Sequence, residues 1–537
     1  MASQEKCKAR TYTPSPWGDF FLHHTLCTPS QLLSLKQRAR IKEEEVRQIL
    51  LATVASSDLA RKMELVDTLQ RIGVDYHYKK EIDELLCSVY NDRDTGSEDL
   101  YNTSLRFYLL RKQGHTVSSD VFEKFRDEQG NISSDDATCL LMLYNAAHVR
   151  THGEEILDNI ITFNKIRLQS LMTKNLEPEL SEEVRCTLET PHFRRVKRVE
   201  AKRYISAYEK KATRDETILE FAKMDYNILQ AIYCDELKEL TIWWKDFQLE
   251  TDLRFTRDRM VELHFWMMGV VWEPYYSHSR IMLTKFTVFA TMFDDLYDNY
   301  ATTKESNIFT AAMERWDEQT TEQLPGHLKA LFINIVNSTN KMEEELKFQK
   351  NKHAELVREL VIHTAKSYHA EVKWRDEHYI PTNVEEHLQI SMSSSVCMQI
   401  TNLAFVSLGD VTTREDIDWA FTFPKIIRGP CIVGRIGNDI TSHEREQASE
   451  HVVSTVQACM KQYGVTVEEA NEKLRVIIEE AWMDIIEEFL ERKRPMILLE
   501  IAVDLARTMD FMYKREDAFT LSFGLKEVIA SMYVDPV

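Results

Sequence analysis

Between about residues 30 and 211 apolar side chains recur every three or four positions and are broken by short polar turns, a spacing that predicts successive amphipathic α-helices. The segment 135–149 (D-D-A-T-C-L-L-M-L-Y-N-A-A-H-V) is one such helix, and the polar stretches 91–97 and 126–131 are two of the turns. No fixed period marks this half as a repeat array. The text turns polar at 210–220 (K-K-A-T-R-D-E-T-I-L-E), after which a long helix is expected from Leu219 through Trp243 and Trp244. A boundary near Phe221 therefore divides the chain into 1–222 and 223–537. In the second part, residues 281–293 (I-M-L-T-K-F-T-V-F-A-T-M-F) are apolar on nearly every face, as in a buried helix. Three serines at 393–395 interrupt a later helical pattern, which reads either as a kink or as carbonyls and hydroxyls turned toward a pocket.

Composition supports an all-α fold: 537 residues hold only 14 Gly and 12 Pro among long runs of good helix formers. That length exceeds one core and calls for two domains. A formal charge of −20 disfavours nucleic acid and anionic membrane as partners. The nine cysteines are odd in number and never in C-x-x-C spacing, which suits reduced thiols better than disulfides or zinc. No apolar run is long enough to span a bilayer, and the opening residues, with Glu5 among them, resemble neither a signal peptide nor a transit segment. The expectation is a soluble cytoplasmic protein. The basic run at 193–198 (F-R-R-V-K-R) is read as a solvated face or as an ion-pair partner for acidic neighbours.

Chemistry concentrates at two places. The apolar helix 281–293 runs into Asp294-Asp295-Leu296-Tyr297-Asp298. At about 100° per residue, Asp294 and Asp298 lie about 40° apart on one face and Asp295 about a quarter-turn away. A solvated acidic helix end is the plain alternative, but carboxylates carried from a buried helix into a cavity need a cation or donors to meet them. About 140 residues later Asn438, Ser442 and Glu446 are spaced i, i+4, i+8, a stripe of amide, hydroxyl and carboxylate oxygens that suits Mg²⁺ and not zinc. Arg435 precedes this stripe. Arg257-Asp258-Arg259 precedes an aromatic helix holding Phe265 and Trp266, residues that either pack in a core or line a cavity whose mouth the arginines reach over. The first part of the chain has no D-x-D-D, no metal-spaced His or Cys and no Gly-rich phosphate loop.

These motifs in this order (W-G-D-F-F-L from Trp17, F-A-K-M-D-Y-N from Phe221, R-D-R, F-W, D-D-L-Y-D and N-D-I-T-S-H-E-R-E) resemble the plant class I terpene synthases, of the cytosolic sesquiterpene type found in grasses. The resemblance implies an N-terminal α-barrel-like domain without its own reaction and a C-terminal class I terpenoid synthase helical bundle. It implies a monomeric lyase that uses three Mg²⁺ ions, with Mn²⁺ as a substitute, to ionise farnesyl diphosphate into volatile sesquiterpenes. By resemblance Asp294 and Asp298 bind metal from one wall and Asn438, Ser442 and Glu446 from the other. Arg257 and Arg435 grip the diphosphate together with those ligands, and an aromatic wall of Trp266 and Phe265 faces the cation. Asp295, Arg259, Asp517 and Phe519 serve as supporting or lid residues in the segment 513–520 and its surroundings. Phe519 stands where relatives often carry tyrosine. Gly429, Pro430, Gly434 and Gly437 are expected to interrupt the helix leading to Asn438, since glycine costs about 1 kcal/mol per helical position and proline more. The alternatives are a synthase preferring geranyl diphosphate, a prenyl chain-elongation enzyme, which would carry a second Asp-rich motif, and a non-catalytic helical scaffold.

Overall fold

The computed structural model describes residues 12–92, 99–173, 176–251, 253–447 and 452–537. Cys7 and most of the expected turn at 91–97 lie outside the described residues. Helices account for the regular structure, and among the described residues there is no strand. None of these helices is long and apolar enough to cross a membrane. The fold is all-α, and contacts divide it into two compact units, with the division falling inside the helix Glu216–Glu250.

One unit consists of 27–231 with 482–493 and the last four residues. Its helices start and stop at local signals. Thr28 and Gln31 form a capping box at Pro29–Val54, and Asp58 caps Leu59–Ile72, which ends at left-handed Gly73. The helix expected over 135–149 runs Ala137–Ala147 from an Asp136 cap, and its Leu140, Leu141 and Tyr144 meet Leu168 and Val184 in the core. The basic run at 193–198 is no solvated face: Arg194 and Arg198 are buried, and Arg195 pairs with Glu183 and Glu200 at 3.1 Å each. Arg71 and Arg203 pair with the same two carboxylates, so the charges neutralise one another inside the unit.

The other unit comprises the chain up to Leu26, 232–481 and 494–533. Seven of its helices frame the site: α1 (Met260–Val270), α2 (Ser277–Asp295), α3 (Leu356–Glu377), α4 (Val384–Ser394), α5 (Cys397–Ser407), α6 (Lys425–Gln447) and α7 (Met496–Met512). Helix α2 packs against α1, α3 and α5, while α6 packs against α4, α5 and α7. A buried ion cluster ties the start of this unit together. Glu236 accepts from Arg280 Nη2 at 2.7 Å and meets His264 Nε2 at 2.7 Å, and against the opposing effect of burial these bonds hold its carboxyl down at about 2.

Two local expectations are revised. Helix α6 is continuous from Lys425 to Gln447, with Pro430 inside it, so its glycines do not interrupt it. Their reason is spatial: a Cβ on Gly434 would lie 2.9 Å from Met509 Sδ, and one on Gly437 would lie 3.1 Å from Tyr513 Cβ. Close approach to α7 and the residue after it offsets the weak helix propensity. Conversely, α2 ends at Asp295 and continues as a π-helical turn over Leu296–Tyr300, so Asp298 is not on a regular α-helical face with Asp294. The serine-rich stretch is a true break, with α4 ending at Ser394 and α5 starting at Cys397. Between them Val396 has φ 64°, a backbone conformation that a β-branched residue rarely adopts.

Candidate active site

Residues from each of the helices α1 to α7 close around an apolar-walled cavity that opens to solvent. Trp266, Leu263, Ala290, Val396, Ile400, Met509 and Phe519 give it an aliphatic and aromatic wall, while Thr287, Thr291, Tyr368, Ser394, Ser395 and Tyr513 add polar groups beside the charged residues it shares with a second cavity. The Trp266 ring meets Phe519 edge-on at 5.5 Å and Tyr513 at 5.9 Å. Its Nε1 has no hydrogen-bond partner. Phe265, its neighbour, does not share this wall. One residue turns an α-helix by about 100°, and Phe265 accordingly packs on Phe511 at 5.8 Å as a core side chain.

Next to the apolar cavity is a charged one, and the two share Arg257, Asp294, Arg435, Asn438 and Asp517. Asp294 and Asp295 line it from the end of α2, Asp298 from the π turn that follows, and Asn438 and Glu446 from α6. Despite the π turn, Asp298 therefore faces the same space as Asp294. Burial and the nearby Asp294, Glu371 and Glu446 push the Asp298 carboxyl well above the usual carboxylate range. Ser442, between Asn438 and Glu446 on α6, is fully buried, and its Oγ has no hydrogen-bond partner. Crowded carboxylates and an orphaned hydroxyl fit a divalent cation with oxygen ligands, since a cation relieves both costs at once.

Each flanking arginine is held in place. Asp295 accepts from Thr256 Oγ1 at 2.8 Å, from the Arg257 backbone N–H at 2.8 Å and from Arg257 Nε. Arg257 also pairs with Asp294 and donates to Thr520 Oγ1 at 3.1 Å. Burial alone would lower the guanidinium's pKa, but Asp295 and Asp294 hold it firmly charged. Arg435 donates to Ser394 Oγ at 3.0 Å and lies 3.6 Å from Asp439 and 3.8 Å from Glu371. Asp439 is itself fixed by Thr455, whose N–H and Oγ1 donate to it at 2.6 and 2.5 Å.

Arg259 is almost fully buried and donates to the backbone carbonyls of Phe519 and Thr520 at 3.0 Å each. Asp517 accepts from Arg445 at 2.6 Å. Both expected lid residues are thus tied down by arginines.

Several residues of the site escaped the sequence. Arg445 stood inside the motif beside Glu446, but its duty depends on Asp517, 72 positions away. Glu371 and Tyr368 sit on α3 with nothing but helical spacing to mark them. Tyr12 comes from the irregular start of the chain, yet its ring lies 5.5 Å from the Arg257 guanidinium and its hydroxyl bonds to Asp295. The one cluster of metal-binding residue types within ligand distance among the described residues, His152, Asp484 and Glu487, lies in the other unit.

Comparison with known proteins gives this geometry a context. The family model described as "Terpene synthase, N-terminal domain" matches residues 16–188, and "Terpene synthase family, metal binding domain" matches 245–484. The chain is 54% identical to an (E)-beta-caryophyllene synthase of Zea mays over 97% of its length and 95% of that protein. It is 44% identical to an (E)-beta-farnesene synthase of Zea diploperennis over 98% of its length and 99% of that protein. Among solved structures it is similar to a limonene synthase, with 28% identity and a TM-score of 0.91 over 99% of this chain and 100% of that one. It is also similar to the isoprene synthase of grey poplar in complex with three Mg²⁺ ions and dimethylallyl-S-thiolodiphosphate, with 29% identity and a TM-score of 0.86 over 94% and 98%. With two family models matched along most of its length and relatives of this identity aligned end to end, the chain belongs to the terpene synthase family.

Proposed function

We infer that this protein is a sesquiterpene synthase that ionises (2E,6E)-farnesyl diphosphate, guides the resulting cation to volatile hydrocarbon products and releases diphosphate. The observation that carries the reading is the union of a charged cavity and an apolar aromatic one through five shared residues, a shape matched to a molecule with an anionic head and a hydrocarbon tail. Its relatives with sesquiterpene products point to the chain length of the substrate.

Asp294 and Asp298 hold the cofactor from α2 and the turn after it, and Asn438, Ser442 and Glu446 hold it from α6. The cofactor of the proposal is Mg²⁺, in three ions as in the isoprene synthase complex, with Mn²⁺ as a substitute; when bound it neutralises the diphosphate charge and makes that group able to leave. Arg257 and Arg435 donate charge-assisted hydrogen bonds to the diphosphate oxygens, and they keep it bound once it has left. Asp295 and Asp439 aim those two guanidinium groups. Arg259 and Arg445 hold the segment 513–520 over the opening, which keeps water from the cation. Trp266 and Phe519 offer π faces worth about 0.5–2 kcal/mol each to a desolvated cation while presenting no nucleophile.

In this reading residues 223–537 carry the reaction, and 1–222, which has no Asp-rich motif, carries none. The protein acts as a cytoplasmic monomer. All eight described cysteines are free thiols, which suits a reducing compartment. The test is incubation of the purified protein with Mg²⁺ and farnesyl, geranyl or geranylgeranyl diphosphate, followed by gas chromatography of the volatiles. Farnesyl-derived hydrocarbons or alcohols should dominate, and their absence overturns the reading.

A further inference from the structure

We propose that Gly434 and Met509 form a size-matched pair that sets the width of the apolar cavity just below the diphosphate grip, and that together they select among the reaction's products. This rests on the sesquiterpene synthase reading. Both residues line the cavity, Gly434 from the middle of α6 and Met509 from α7. Gly434 has an ordinary helical backbone, so the freedom of glycine to adopt a left-handed conformation does not explain it. Space does. A Cβ at this position would lie 2.9 Å from Met509 Sδ, 3.2 Å from its Cγ and 3.6 Å from Cys397 Sγ.

The thioether therefore occupies the volume that any larger residue at 434 would take. Cys397 is fully buried in packed structure, whereas Met509 is unbranched and borders open space. A methyl group added at 434 displaces the Met509 side chain into the cavity. The position of the notch gives that displacement chemical meaning. Gly434 is adjacent to Arg435 and one helical turn before Asn438, so it borders the part of the substrate next to the departing diphosphate. Folding of the chain back onto its allylic end requires room there, and a narrower wall favours products that lose their proton without closing a ring.

The experiment compares the full-length wild type, Gly434→Ala, Met509→Ala and the double variant with farnesyl diphosphate and Mg²⁺, reading product ratios, total turnover and the apparent KM for Mg²⁺. Gly434→Ala should raise the ratio of acyclic to cyclic products by roughly tenfold, the discrimination that one methylene carries in an apolar pocket, with the KM for Mg²⁺ unchanged. Met509→Ala should move the ratio the other way, and the double variant should lie nearer the wild type than either single one. If the wild type converts farnesyl diphosphate and both single variants keep its ratio, the pairing is wrong. It is also wrong if the double variant departs from the wild-type ratio as far as either single variant does. Should Gly434→Ala fail to fold, Met509→Ala and the double variant decide the matter: recovery of folding by the second substitution supports the pairing, and continued misfolding of the double variant overturns it. A wild type without any product defeats the underlying reading instead.

Discussion

Asp294 and Asp295 show how one residue step divides two duties. Asp295 is 2% exposed and accepts from Thr256, from the Arg257 backbone and from its side chain, so its charge is used in aiming that arginine. Asp294 borders both cavities and remains open to a ligand. Asp294→Ala should abolish turnover with the fold intact by circular dichroism; activity like that of the wild type removes the metal assignment. Asp295→Asn should instead lower kcat about a hundredfold through a misplaced Arg257, with little change in the Mg²⁺ dependence. A comparable rise in the KM for Mg²⁺ would show Asp295 to be a ligand after all.

The acidic cluster that holds Asp295 was readable in the sequence. Glu262 was not, because its burial depends on a distant segment: Ser15 Oγ donates to it at 3.0 Å. Burial pushes this carboxyl up to about 7, with Asp258 adding slightly and Arg259 opposing. A raised carboxyl stabilises the fold below its ordinary value near 4.5, and that contribution is lost as pH rises through 7. Melting temperatures of the wild type should therefore fall between pH 5 and 8 relative to those of Glu262→Gln, and parallel curves would refute the assignment.

Among the elements, α6 is the helix that the spacing of Asn438, Ser442 and Glu446 predicts, but its glycines do not interrupt it. Propensity counts what a glycine costs a lone helix, about 1 kcal/mol, and is blind to the helix packed against it. At Gly437 the backbone of α6 approaches Tyr513 so closely that a Cβ finds it at 3.1 Å. Gly437→Val should thus destabilise the protein despite removing a glycine, by about 1–3 kcal/mol, as overpacking does in cores. An equal or higher melting temperature would mean that the contact is loose.

The π turn at Leu296–Tyr300 was invisible for a related reason. It differs from an α-helix by one place in the hydrogen-bond register, and no residue type announces that. Val396 is a further instance. Nothing about valine suggests φ 64°, and the surrounding packing has to impose it, at a cost of about 1–3 kcal/mol. The serines beside it did announce a break.

At the scale of the whole molecule, the all-α class and the two Asp/Asn-centred motifs were legible because periodicity and spacing are local properties. What the sequence withheld is which residues from distant segments join them: Tyr12 and Glu371 reach the charged cavity from two separate stretches. The basic run at 193–198 is the mirror case, where one of two readings proved right because Glu183 and Glu200 are its partners.

The junction of the two cavities has a further kinetic meaning. Arg257, Asp294, Arg435, Asn438 and Asp517 stand between the apolar pocket and the charged one, and they form a polar collar around an oily chamber. A hydrocarbon product has no group with which to pass that collar while diphosphate and the segment 513–520 are in place. Departure of the anion then comes first, and the neutral product follows once the collar is hydrated. Exit is then expected to limit turnover, as product release does in many enzymes. Rapid-quench measurements should show a burst of product near one equivalent per enzyme before a slower steady state, and a linear onset would place the slow step in the ionisation itself.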